Sequence, residues 1–207
     1  MRIVKILFLF IGLQAFCQQT NLTSLQGQAF QSRVIKKAEG INSFKANFTL
    51  FKHIEMMEDV PESKGMVYYQ SPNLLKWEYS SPEDYQVLYR DSKLYVSENG
   101  DTREVDLASN RMFEKVGEMI AGSVNGKILK ANKDFDISYF KEKNSMKARV
   151  IPKDQRIAGM FSEIWMNFNK ENLIESVRLI DPSGDYTEIK LQNIVINQDI
   201  PKKVFKN

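Results

Sequence analysis

The chain has 207 residues, 43% of them apolar and 27% charged, which is enough for one domain with a sizeable core and too apolar for intrinsic disorder. One histidine and one cysteine are too few for a Ser-His-Asp or Cys-His arrangement or for a His/Cys metal cluster, so no cofactor, no metal and no enzymatic role are expected. The net charge of +3 includes Arg2 and Lys5 at the extreme N-terminus, and without them the chain is nearly neutral and gives no case for nucleic acid.

Residues 1–17 read as a signal peptide. Arg2 and Lys5 supply the positive start, Ile6 to Leu13 the apolar stretch, and Ala15 and Cys17 the small residues at the cleavage-determining positions. The mature protein is expected to begin near Gln18, after export. A rival reading makes Cys17 a lipidated residue, against which Phe16 argues, because lipoprotein processing wants a small residue just before the cysteine. The apolar run is about a dozen residues against the roughly 20 that a spanning helix needs, and no later run is longer, so no membrane span is expected.

Thr23 to Ile41 carries Leu25, Ala29, Phe30, Val34, Ala38 and Ile41 at helical spacing, with Thr23 or Ser24 able to cap its start and Gly40 its end. Phe44 to Met56 then alternates, and from Gly65 to Val96 three further alternating runs follow, broken at Ser71-Pro72-Asn73, Ser81-Pro82-Glu83 and Asp91-Ser92. Proline cannot donate to a central ladder, so each marks a strand end. Asn99-Gly100 predicts a tight hairpin turn between Lys93–Glu98 and Thr102–Leu107.

Arg111 to Val124 returns to helical period, with Met112, Phe113, Val116, Met119 and Ile120 in one stripe. Asp134–Lys141, Met146–Ile151, Phe161–Phe168, Leu173–Ile180 and Tyr186–Ile196 alternate again. The expected fold is mainly β with a few helices: a single strongly curved antiparallel sheet of about eleven strands, a half-open β-barrel, covered by an N-terminal helix and a lid helix. With no repeat and no linker, residues 18–207 form one domain.

His53 reads as a strand surface residue, and Glu55, Glu58, Asp59, Glu83 and Asp84 as solvated turn residues rather than catalytic carboxylates. Aromatic and methionine side chains are most often plain core. A curved sheet covered by only two or three helices, however, leaves an interior that its side chains need not fill. The expected cavity wall takes Phe48 from the first long run, Val67 and Tyr69 from the next, and Leu75, Trp77 and Tyr79 after the first proline. Val87, Tyr89, Leu94 and Trp165 complete it. Such a wall suits an acyl chain, and the Met112–Ile120 stripe is the natural lid.

Gly65, the run Ser71-Pro72-Asn73-Leu74-Leu75-Lys76-Trp77-Glu78-Tyr79, Pro82 and Asp91 together resemble the signature of the outer-membrane lipoprotein carrier proteins, the LolA-like family. Phe44 to Thr49 is similar to that family's first strand, and Leu179 to Thr187, Asn193-Ile194, Asn197 and Phe205 to its last hairpin. The resemblance implies a monomeric periplasmic carrier that takes acyl chains of lipoproteins from an inner-membrane ABC exporter and delivers them to the outer membrane, by an acceptor it does not identify. It leaves room for a same-fold carrier of another lipid or glycolipid and for a same-fold sensor or regulatory module. Family members place an arginine before the proline of the motif, where it latches the lid; here the latch position is Ser71.

Overall fold

The computed structural model describes residues 20–57, 60–82, 84–91, 93–106, 127–130, 133–143 and 145–206. The lid stripe of Met112, Phe113, Val116, Met119 and Ile120, and the signal segment 1–17, lie outside the described residues.

The chain opens with β1 (Thr20–Asn21) and α1 (Ser24–Glu39), followed by six strands: β2 (Ser43–His53), β3 (Glu62–Gln70), β4 (Leu74–Ser81), β5 (Tyr85–Arg90), β6 (Lys93–Glu98) and β7 (Asp101–Asp106). After a 3-10 turn at Lys127–Lys130 come β8 (Phe135–Glu142), β9 (Ser145–Pro152), the short α2 (Gln155–Ala158), β10 (Glu163–Phe168), β11 (Ile174–Ile180) and β12 (Tyr186–Ile196). A second 3-10 turn, Lys202–Phe205, ends the fold. All twelve strands join one antiparallel sheet in the order β1-β8-β9-β10-β11-β12-β2-β3-β4-β5-β6-β7, which stays open between β1 and β7. The strand beyond the expected eleven is β1, too short to show an alternation.

The Asn99-Gly100 turn forms as its chemistry dictates, both residues adopting positive φ (51° and 87°). Thr23 caps α1 in a reciprocal capping box with Gln26, and Gly40 follows the last helical residue. The buried stripe of α1 differs from the expected one: Gly27, Phe30, Val34 and Ala38 are buried, whereas Leu25 is 80% exposed and Ala29 exposed. Gly27 is the reason. A Cβ there would sit 2.9 Å from the Tyr139 ring, so the missing side chain lets α1 close on β8.

The core lies on the concave face. Phe30 meets Tyr139 and Phe168 edge to face at centroid distances of 5.6 and 5.4 Å, above Ala148, Val150, Ile164 and Met166, none more than 1% exposed. Asn197 ties the α1–β2 link to the end of β12: its Nδ2 donates to the Gly40 carbonyl and its Oδ1 accepts from the Asn42 amide, each at 2.8 Å. A smaller cluster on the convex face packs Leu88 against Ile200 and Phe205, with Arg90 Nη1 donating to the Phe205 carbonyl at 3.0 Å.

Candidate functional site

Register decides which alternating residues meet. Phe48 of β2 pairs with Gly65, Gly65 with Tyr79, and Tyr79 with Tyr85; one step along, Ala46, Val67, Trp77, Val87 and Val96 form a second row, and Phe44, Tyr69, Leu75, Tyr89 and Leu94 a third. Nine of the ten expected wall residues therefore share one concave surface. Within it, Phe48, Val67, Tyr69 and Leu75 are at most 2% exposed and sealed in the core, whereas Trp77, Tyr79, Val87, Tyr89 and Leu94 are half-buried. The surface becomes more accessible from β2 toward β6.

Gly65 opens space for the aromatic row. A Cβ there would lie 2.0 Å from the Glu78 carbonyl oxygen and 2.8 Å from the Phe48 ring. Phe48 instead lies 4.8 Å from Trp77 and 4.9 Å from Tyr79, and Tyr79 stacks on Tyr85 at 4.0 Å. Burial, followed by the hydrogen bond with Tyr85, pushes the Tyr79 phenol well above its ordinary range, so it remains neutral and adds no charge to the apolar wall.

Trp165 does not belong to this surface. Ile164 and Met166 point inward and their neighbour therefore points outward, where Trp165 packs on Phe140 at 5.2 Å and donates through Nε1 to Glu163 Oε1. Arg149 Nη2, 2.5 Å from Glu163 Oε2, chiefly accounts for the lowering of the Glu163 pKa. The latch position, Ser71, lies exposed in the β3–β4 turn, its amide donating to the Asn42 carbonyl at 2.8 Å.

A second feature was not expected from the sequence. A groove of about 800 Å³ runs between the start of α1 and the edge of β8, walled by Leu22, Gly27, Phe135, Ile137 and Tyr139 and rimmed by polar side chains that include Gln31 and Lys153. The Tyr139 hydroxyl is buried with no hydrogen-bond partner among the described residues, and burial pushes its pKa up to about 12. The alternation of β8 was legible, but the approach of α1 depends on a glycine that no apolar periodicity selects. Among the described residues no group of three His, Cys, Asp or Glu side chains is placed to hold a metal, and no helix is long and apolar enough to cross a membrane.

A twelve-stranded antiparallel sheet that stays open and lines its concave side with aromatic and aliphatic residues defines the class: an open half-barrel with an apolar interior. A family model described as outer membrane lipoprotein carrier protein LolA matches residues 39–207. The chain belongs to this family. It is 23% identical to an outer-membrane lipoprotein carrier protein of Pseudomonas putida, over 90% of this chain and 87% of that one, and 26% identical to one of Legionella pneumophila, over 99% and 93%. Among solved structures it is similar in fold to a chain of the Pseudomonas aeruginosa MucA/MucB complex, with a TM-score of 0.53, 9% identity, and coverage of 86% of this chain and 60% of that one.

Proposed function

We propose that this protein is a periplasmic carrier that shields the acyl chains of lipoproteins between the inner and the outer membrane, without catalysis. Family membership supports the cargo class, and the single structural observation that carries the reading is the half-buried apolar surface that Trp77 and Val87 form with Tyr89 and Leu94 of the next row, beside a sealed core. Transfer of a C16 chain out of water is worth about 0.8 kcal/mol per methylene, or roughly 12 kcal/mol per chain, which is why such a cargo needs a shield. A carrier that kept all of that energy would not release its cargo. Some must be offset, and an apolar lid formed by the stripe Met112, Phe113, Val116, Met119 and Ile120, displaced on loading, would do so.

In this reading the chain is secreted through cleavage of residues 1–17, works as a monomer and is loaded by an inner-membrane ABC exporter. Ser71 in place of the family's arginine favours a second reading in which the cargo is another lipid, because a hydroxyl replaces neither the charge nor the fork of donors of a guanidinium. Native mass spectrometry of the protein purified from its own cells decides between them. A bound acylated protein or peptide supports the first reading, a free lipid or glycolipid the second, and an empty interior with a stable protein partner a regulatory module instead of a carrier.

A further inference from the structure

The two edges of the sheet are built differently. β7 carries Asp101, Arg103 and Glu104 exposed within its six residues, and charges of this kind guard an edge against unwanted pairing. β8 is covered by β1 at one end only: Thr20 and Asn21 pair with Lys141 and Phe140, the Leu22 amide donates to the Tyr139 carbonyl at 3.0 Å, and the chain then turns away into α1. Main-chain groups of successive strand residues point to alternate sides. The Asp134 carbonyl accepts from the Lys153 amide on the β9 side, so Phe135 and Ile137, like Tyr139, turn their N–H and C=O groups the other way, where no described strand meets them. The groove between α1 and β8 runs beside these groups.

The charges on the rim of this groove are already paired. Lys153 meets Asp136 at 2.8 Å and Arg149 meets Glu163 at 2.5 Å, and the α1 side offers the neutral Ser24, Gln28 and Gln31. Such a seat selects for main chain and not for sequence: an extended segment adds as a strand to the free part of β8 through its own amides, whatever its side chains. Residues 135–138, at about 3.4 Å each, take a segment of about four residues. Phe135, Ile137 and Tyr139 pair with Pro152, Val150 and Ala148, all buried on the concave side, so the free edge borders the interior that would hold acyl chains. We propose that the free edge of β8 seats the extended polypeptide that follows the acylated residue of the cargo. Pairing through the main chain suits cargoes that share an acyl group and not a sequence, and the choice of cargo as the source of the segment rests on the carrier reading.

The test uses the whole mature chain and two kinds of ligand: a palmitoylated single amino acid, and the same residue extended by an eight-residue peptide in two unrelated sequences. Tethering makes the second contact intramolecular, so a seat that is weak alone should tighten binding at least tenfold, and equally for both sequences. Hydrogen exchange should slow at the Ile137 amide with the extended ligands and not with the single amino acid. Full N-methylation of the peptide, which removes its donors, should abolish both effects, as should Gln28→Trp or Ser24→Trp, which fill the groove from exposed positions of α1. Both variants should bind the palmitoylated amino acid as the wild type does. If the extended ligands bind no tighter than the single amino acid, or the N-methylated peptide or both variants keep the gain, the proposal fails and the carrier reading stands. If no acylated ligand binds while the unacylated peptide at millimolar concentration still protects Ile137, the carrier reading fails and the peptide seat stands. An Ile137 amide protected without ligand, in a dimer that forms with rising concentration, would assign the edge to a second copy and overturn the proposal.

Discussion

The two halves of the sheet obey the same alternation of inward apolar and outward polar residues and end in different states. In the half from β8 to β12, Ala148, Val150, Ile164 and Met166 of β9 and β10 are fully buried because α1 sets Phe30 and Val34 over them, and burial loosens only farther along, at Val177, Leu179 and Ile189. In the half from β2 to β6, burial is complete only as far as Tyr69 and Leu75, and Trp77, Val87, Tyr89 and Leu94 keep part of their area accessible. An apolar face becomes core where a helix is laid on it. Where the described helices do not reach, the same side chains are only half-buried, and about half of the roughly 1.5–3 kcal/mol that full burial of each would supply is still available to a ligand.

The largest effect that separates the halves should come from Phe30→Ala, which empties the contact between α1 and the sheet. A loss of about 3–5 kcal/mol is expected, read as a lower denaturant midpoint at unchanged m-value. Trp77→Ala should cost markedly less, and equal losses would show that the β4 wall is as filled as the core under α1. Gly65→Ala should destabilise by about 1–3 kcal/mol, because its Cβ meets the Glu78 carbonyl, which cannot rotate away as a side chain can.

Ligand binding sharpens the contrast from the other side. Trp77→Ser should weaken an acyl peptide at least tenfold, about 1.4 kcal/mol, while Met119→Ser in the proposed lid should strengthen it, as measured by fluorescence titration. Equal losses in both variants would make the stripe a wall instead of a gate. At the groove, Tyr139→Phe removes a buried hydroxyl that has no partner among the described residues and should leave stability unchanged or raise it by about 1 kcal/mol.

The same variant carries a pH signature. The Tyr139 phenol loses its proton near pH 10 when unfolded and near 12 when folded, so above pH 10 the unfolded chain binds fewer protons than the native one. The stability that neutral Tyr139 contributes is fully present below pH 10 and is lost as pH rises to about 12. Thermal melts across that window should show the wild type falling relative to Tyr139→Phe. The smallest effect expected is that of Lys130→Ala, since the Lys130–Glu39 pair at 2.5 Å is largely solvated and worth at most about 1 kcal/mol.

Alternation, proline breaks and the Asn-Gly turn made eleven of the twelve strands legible from the sequence, because strand period, hairpin chemistry and the loss of a donor at proline are local properties. The same local rules placed nine wall residues on one face. They misassigned Trp165, since parity can be counted along one strand but not across a connection to another, and only the pairing of Arg149, Trp165 and Arg178 across three strands fixes which side of the sheet faces in. Tertiary structure alone decided where α1 lies, through a glycine whose contribution is the absence of a side chain, and with it the groove beside β8. It also decided which apolar residues are sealed and which stay accessible: composition sets how much apolar surface a chain has, but burial depends on what is placed against it.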